Sequence, residues 1–445
     1  MIPKRRKRLS TFQVIILGFL AVLLIGALLL MLPFATKGEE SASFIDALFT
    51  STSALCVTGL VVQSTAAYWS VFGQVVILIL IQIGGLGVIT IAMALATLAG
   101  RKLGLMQRMT MQEAISAPEI GGIEEMTKFI LKISFSIELI GTLLFMPTFC
   151  SQFGFGKGLY YSVFHSISAF CNAGFDLMGT DANPFPSLTG YTDNALVSGT
   201  VILLIVVGGI GFATWKDISK HGLRFRRYRM QSKVALTVSA LLIVLPTVYF
   251  FFFEVTDGNV GERILASLFM AVSPRTAGFN TSNLNEVSEV GNALTILLML
   301  IGGTSGSTAG GIKTTTVAVL IASVVAVFRR KSDTALFGRR IVSETVRHAT
   351  VIFLMYFTLF FVGGSAIAMI EGLPLLDCLY EAASAIATVG LTLGITPSLG
   401  IASRLILIVL MFLGRVGGLT LIFAALSGKP SNNSAHLPRE KITVG

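Results

Sequence analysis

Four short hairpin sequences carry the chemistry legible in this chain. They read Cys56-Val57-Thr58-Gly59-Leu60, Cys171-Asn172-Ala173-Gly174-Phe175, Arg275-Thr276-Ala277-Gly278-Phe279 and Ala387-Thr388-Val389-Gly390-Leu391. Their glycines lie 115, 104 and 112 residues apart, each after a semi-apolar run rich in Ser and Ala. A Ser stands six residues before the glycine in three copies (Ser53, Ser168, Ser384) and five before it in the third (Ser273). The reagent such a pattern offers is the backbone. A cation that has shed its water needs a ring of oxygens, and main-chain carbonyls supply one. Aiming successive carbonyls at one axis demands dihedrals that a Cβ resists, which explains the recurring glycine. One such glycine alone reads equally well as an ordinary turn; four at matching places favour a common ring. The expected cation site is therefore Val57, Thr58 and Gly59, with Asn172, Ala173 and Gly174, Thr276, Ala277 and Gly278, and Thr388, Val389 and Gly390.

A second stretch reads Gly302-Gly303-Thr304-Ser305-Gly306-Ser307-Thr308-Ala309-Gly310-Gly311-Ile312-Lys313. Five glycines and four hydroxyl residues in twelve cannot sustain a helix. A phosphate-binding loop needs adjacent Gly-Lys after a strand; here Ile312 intervenes and both flanks are long apolar runs. The better expectation is a polar loop lying across a pore as a gate. Two cations stand in apolar territory, where ionisable groups are functional candidates. Lys313 closes the glycine-rich stretch. Arg415 takes the place held by Gly85 and Gly209 in the related patterns Gly84-Gly85-Leu86-Gly87 and Gly208-Gly209-Ile210-Gly211. As a fixed charge there it would bar cations until moved or neutralised; the plainer alternative is pairing with a carboxylate or helix carbonyls. For those first two glycine patterns, close helix packing is the favoured reading. Glu138 reads as a buried, hydrogen-bonded side chain, and Arg275 as an ion-pair partner of Glu262 or Glu286 or as a selectivity residue.

The elements that must position these residues are membrane helices. Hydrophobic residues make up 53% of the 445 and charged ones 13%, about half the share of a soluble protein. Apolar runs long enough to span cover 12–34, 74–98, 129–149, 195–214, 234–253, 294–328, 350–370 and 401–426. The first follows the basic run 4–8 and has no cleavage site, so it is expected to be retained. Each hairpin falls between two members of a pair, in a segment too short to cross, and reads as a short helix that enters and returns. Small residues Ala54, Ala169 and Ala385 would let those helices approach closely. Lys and Arg crowd 99–127, 215–233 and 329–349, while the alternate segments hold only Lys37, Lys157, Arg263, Arg275 and Arg404. That bias puts both termini and those three loops in the cytoplasm and makes all four repeats parallel. The fold expected is an all-α polytopic membrane protein: four parallel span–pore-helix–span repeats, eight transmembrane helices, around a pseudo-fourfold pore. The repeats are expected at 1–110, 111–232, 233–347 and 348–445. The net charge of +10 belongs to these loops and not to nucleic acid. Four separated cysteines and four scattered histidines support neither a disulfide framework nor a zinc site. No paired carboxylates suggest an enzyme.

Four span–pore–span repeats, one glycine in each hairpin and the interrupted third inner helix resemble the Trk/Ktr/HKT superfamily of potassium transporters. The compact length is most similar to the membrane subunits of bacterial Ktr systems, and the resemblance covers nearly the whole chain. It implies that Gly59, Gly174, Gly278 and Gly390 are filter glycines with potassium at their carbonyls. It implies that residues 302–313 form the gating loop and that Arg415 is the pore arginine. Gly59, where sodium-favouring members carry serine, argues for potassium; only Thr388-Val389-Gly390 echoes the potassium-channel filter closely, so fewer ion sites are expected. The resemblance further implies a bacterial inner-membrane homodimer in contact with membrane lipids. It also implies a cytosolic, KtrA-like ring of subunits that bind ATP or ADP; no cofactor is expected in this chain. A sodium-coupled symporter on the same scaffold is the alternative.

Overall fold

The computed structural model describes residues 10–98, 105–114 and 122–417. The basic run at 4–8, Arg101, Lys102, the last expected span beyond residue 417 and the C-terminal tail lie outside the described residues.

The first unit runs through α1 (Thr11–Leu30), α2 (Phe44–Cys56), α3 (Val71–Leu86), α4 (Val88–Leu98) and α5 (Leu105–Ala114). The second contains α6 (Ile123–Phe153), α7 (Phe155–Phe170), α8 (Ala195–Gly209) and α9 (Phe212–His221). The third contains α10 (Met230–Phe253), α11 (Val260–Val272), α12 (Glu289–Leu300) and α13 (Thr314–Phe328), followed by the antiparallel pair β1 (Ala335–Leu336) and β2 (Arg339–Arg340). The fourth contains α14 (Ser343–Glu371), α15 (Leu375–Ile386) and α16 (Ile401–Val416).

Each unit opens on a long apolar helix. α1, α6, α10 and α14 have 20, 31, 24 and 29 residues. At 1.5 Å per residue each reaches the roughly 30 Å of a hydrocarbon core. Leu28, Leu143, Leu245 and Phe361 stand exposed on their outer faces, an arrangement suited to lipid. The second helix of each unit is too short to cross: α2, α7, α11 and α15 have 13, 16, 13 and 12 residues. The Ser43 hydroxyl starts α2 by accepting from the Asp46 N–H at 3.1 Å, and Asn259 starts α11 in a capping box with Glu262. Each short helix ends at its hairpin, so its partially negative terminus faces the glycine ring. Ala54, Ala169 and Ala385 are fully buried there.

The units close into a circle. α3 packs on α7, α8 on α11, α12 on α15, and α16 returns to α2. At the closing contact, Arg404 pairs with Asp46 at 2.7 Å.

Two expected spans are not single helices. Residues 74–98 bend by 94° between α3 and α4, and 195–214 by 93° between α8 and α9. Gly87 and Gly211 sit at the bends with φ of 87° and 93°, where a side chain would be strained. The Trp215 ring N–H donates to the Val207 carbonyl at 3.0 Å and fastens the second bend. Asp217 then ties α9 to α10 by accepting from the Arg229 N–H and the Ser232 hydroxyl. The break expected within 294–328 is present: α12 ends at Leu300 and α13 begins at Thr314.

Candidate functional site: a ring of four hairpins over an intramembrane loop

The four hairpins meet. A Cβ on Gly59 would strike the Ala173 carbonyl oxygen, and one on Gly174 the Ala277 oxygen. One on Gly278 would strike the Val389 oxygen, and one on Gly390 the Thr58 oxygen, at 2.1–2.7 Å throughout. The ring is thus closed and runs in one direction through the chain order of the repeats. Successive glycine Cα positions are within reach of the same absent Cβ atoms, at 3.0–3.2 Å.

The backbone repeats just as strictly. Gly59, Gly174, Gly278 and Gly390 have φ of 92°, 71°, 75° and 97°. Two residues earlier, Val57, Asn172, Thr276 and Thr388 are also left-handed, at 58°, 59°, 74° and 52°. Three of these four are β-branched, for which that region is an outlier costing on the order of 1–3 kcal/mol. The strain is held by ties to the short helices. The N–H groups of Thr58, Ala173, Ala277 and Val389 donate to the carbonyls of Ser53, Ser168, Ser273 and Ser384 at 2.7–3.0 Å. The serine side chains add a second tie. Ser53 and Ser384 accept from the Gly59 and Gly390 N–H groups; Ser168 and Ser273 donate to the Phe175 and Phe279 carbonyls. With their N–H groups bound, Thr58, Ala173, Ala277 and Val389 set their carbonyl oxygens against the glycines of the neighbouring hairpins. The same geometry recurs in all four hairpins although only the fourth sequence echoes a potassium-channel filter. The side-chain oxygens of Thr58, Asn172, Thr276 and Thr388 are buried, with no protein partner among the described residues.

Against one side of this ring lies the 302–313 stretch. Thr304 and Thr308 donate their N–H groups to the Gly209 and Gly208 carbonyls, and the Thr308 hydroxyl donates to Phe170 O at 3.1 Å. The Thr304 hydroxyl donates to Ile210 O, and the Phe212 N–H returns a bond to Gly306 O. At the other end Gly310 abuts Thr388, leaving no room for a side chain. The loop therefore bridges from the second repeat to the fourth beneath the ring. Ser305, Ser307, Gly311, Lys313 and Arg415 border a cavity of ≈ 470 Å³ on the far side.

Both cations grip this loop. Arg415 donates through Nη1 to Thr308 O and through Nη2 to Gly84 O, so it holds the loop against the first repeat's inner helix. Lys313 Nζ donates to Ala309 O at 2.7 Å and Gly310 O at 3.2 Å. Of the readings open for Arg415, the structure gives carbonyl pairing, with one carbonyl on the loop itself. The inner-helix glycines are packing positions: Cβ atoms on Gly84, Gly208 and Gly414 would lie 2.0–2.1 Å from the Leu55, Phe170 and Ile386 carbonyls.

Arg275 pairs with neither expected carboxylate. Its Nη2 donates to Ser239 Oγ at 3.1 Å, while Glu262 bonds the Asn259 cap and Glu286 the Asn283 amide. Glu138 is buried and accepts from Gln82 Nε2 at 2.9 Å, as expected. The four cysteines are free, and no group of metal-ligating side chains assembles among the described residues. Sequence reasoning overlooked Asp176, two residues past Gly174, which lies half-buried at the mouth of the ring and accepts from the Met178 N–H at 2.9 Å. It also overlooked Glu381 on α15; no counterpart in the other repeats drew notice to either.

A closed circle of short apolar helices whose hairpins meet in one ring, set among helices long enough to span a bilayer, is the architecture of a multi-pass membrane transport protein. The comparisons agree. The TrkH family model, described as a cation transport protein, matches residues 5–437, and the chain belongs to that family, whose members move ions and are not enzymes. It is 40% identical over 431 residues to the Ktr system potassium uptake protein B of Bacillus subtilis, covering 96% of this chain and 95% of the relative. It is 39% identical over 450 residues to the potassium/sodium uptake protein NtpJ of Enterococcus hirae, covering 99% and 98%. Among solved structures, the crystal structure of the potassium transporter TrkH from Vibrio parahaemolyticus superposes with a TM-score of 0.74 at 20% identity, covering 95% of this chain and 86% of that one.

Proposed function

We propose that this chain takes up potassium through the ring of carbonyls and that residues 302–313 gate it. The observation that carries the reading is the closed ring itself, in which each glycine leaves just the space that the next hairpin's carbonyl occupies. The names of the potassium-uptake relatives at 39–40% identity support the choice of ion. The basic loops are cytoplasmic, with both termini inside, and the repeats divide at 110, 232 and 347. Ions enter past Asp176, exchange water for the carbonyls of Val57–Gly59 and its three counterparts, and meet the loop. Arg415 and Lys313 keep that loop closed by occupying its carbonyls. Passage inward needs no chemical step, and the membrane potential supplies about 2.3 kcal/mol per charge per 100 mV.

Opening is assigned to a cytosolic ring of nucleotide-binding subunits docked on a homodimer of this chain, a reading supported by relatives named as parts of Ktr systems. The docking surface combines Arg226, Arg227 and Arg229 with Arg339 and Arg340, because the Phe225 and Phe337 rings meet at 6.4 Å and join the two basic loops. The test is growth at low potassium of an uptake-deficient bacterium carrying this chain with and without such a subunit. No rescue in either case would refute the reading. The relative named for both potassium and sodium favours one second reading, sodium-coupled symport. A fixed sodium-to-potassium flux ratio would select it.

A further inference from the structure

We propose that Glu381 is a positioning residue for ion preference: it fixes the chain leaving the fourth hairpin and so holds that quarter of the ring at its width. The inference rests on the filter reading above.

Glu381 stands on α15, nine residues before Gly390, and is fully buried with no cationic partner among the described residues. A buried carboxylate without a counter-charge is costly unless its oxygens are well bonded. Here they are, and every bond goes to one short segment. The Thr392 hydroxyl donates to Oε1 and the Thr396 hydroxyl to Oε2 at 2.8 Å. These residues lie two and six positions past Gly390. Arg404 grips the residues that follow, donating to Leu399 O at 2.8 Å and Pro397 O at 2.9 Å while paired with Asp46. Below, the Ser384 hydroxyl accepts from the Gly390 N–H at 2.9 Å. The chain through and beyond the fourth hairpin is thus tied at three places, and Glu381 supplies the tie to α15.

The second repeat, opposite the fourth across the ring, has a comparable tie made from the same helix position. His165 is nine residues before Gly174 and fully buried. Its Nδ1–H donates to Tyr161 O at 2.7 Å, which leaves Nε2 to accept from the Leu177 N–H at 3.4 Å, three residues past the glycine. In the first and third repeats that place is held by Thr50, whose hydroxyl has no partner among the described residues, and by Phe269. One diagonal of the ring is therefore anchored through ionisable side chains. Carbonyls held this way resist the inward movement that a smaller cation requires, so the anchor disfavours sodium relative to potassium.

The experiment uses the full-length chain in membranes of an uptake-deficient strain, with potassium uptake measured against rising sodium and membrane content measured alongside. Glu381→Ala is expected to lower the potassium-over-sodium ratio about tenfold, the size expected from losing charge-assisted hydrogen bonds, while maximal potassium uptake changes little. The pair Thr392→Val with Thr396→Val should reproduce that loss, and decides the matter if Glu381→Ala does not reach the membrane. Glu381→Gln keeps an acceptor and gains a donor for the second threonine, and should stay within about twofold of the original ratio. A wild-type ratio in the threonine pair or in Glu381→Ala overturns the inference and leaves the filter reading intact. Absence of any potassium preference in the unmodified chain would overturn the filter reading, and this inference with it.

Discussion

Replacing Gly59 tests the ring where its geometry is most explicit. A Cβ at residue 59 would stand 2.4 Å from the Ala173 oxygen and 3.2 Å from Gly174 Cα. Ordinary contact begins near 3.4 Å, so the second hairpin would have to withdraw by about 1 Å in an interior packed as densely as a crystal. It is not free to do so, because the Ala173 N–H is bonded to Ser168 O at 2.7 Å. The φ of 92° adds strain on the order of 1–3 kcal/mol for any residue with a side chain. Placed on the narrow, potassium-holding arrangement, 1–2 kcal/mol corresponds to a factor of about 5–30. Gly59→Ser and Gly59→Ala are both expected to reduce potassium preference over sodium by about tenfold, since the cause is the Cβ and not the hydroxyl. The assay is potassium uptake under sodium competition, normalised to protein in the membrane. A wild-type ratio in a well-expressed Gly59→Ala chain would refute the ring as the seat of selection.

Three further outcomes are expected. Deleting Thr304–Thr308 removes the bonds to Gly208, Gly209 and Ile210 and should raise potassium flux without the regulatory subunit; Arg415→Gln, which frees the Thr308 carbonyl, should act in the same direction, and either variant giving unchanged unregulated flux counts against a gate. Burial raises the Asp176 carboxyl from 3.8 to about 6, against the opposing Met178 N–H. It is therefore mostly charged at pH 7 and neutralised as pH falls through 6, so the half-saturating potassium concentration should rise below that pH in wild type and not in Asp176→Asn. Neutralising Arg226, Arg227 and Arg229 together should weaken capture of the regulatory ring by the solubilised chain, and undiminished capture would remove those residues from the contact.

Much of this architecture was legible because its signals repeat. The hairpin glycines, the preceding serines and the run of glycines after Ile301 each announce themselves in the sequence, and in the structure these segments lie in contact with one another. What stayed hidden depends on contacts between distant segments. The third glycine of Gly84-x-x-Gly87 and Gly208-x-x-Gly211 was visible as spacing, but only its φ reveals a right-angle bend where a continuous apolar run suggested one span. Arg275 was open between an ion pair with Glu262 or Glu286 and a selectivity role, and its partner is instead the Ser239 hydroxyl on α10, a contact that sequence spacing does not announce. The role of Arg415 could not be split between barrier and brace without knowing that Thr308 and Gly84, 107 and 331 residues away, present their carbonyls to it. Glu381 looks like one acidic residue in a short helix until Thr392 and Thr396 fold back over it.

The glycine ring has a handedness, and that makes damage directional. A side chain added at 59 presses on the second hairpin, one at 174 on the third, one at 278 on the fourth and one at 390 on the first. The nearest clash thus falls on the next repeat, in addition to the φ strain at the substituted residue itself. Compensating changes for a lesion at Gly59 belong chiefly around Ser168 to Gly174, and those for Gly390 around Ser53 to Gly59. Four copies of a module arranged in this way can diverge in sequence only as a relay, each constrained by its upstream neighbour.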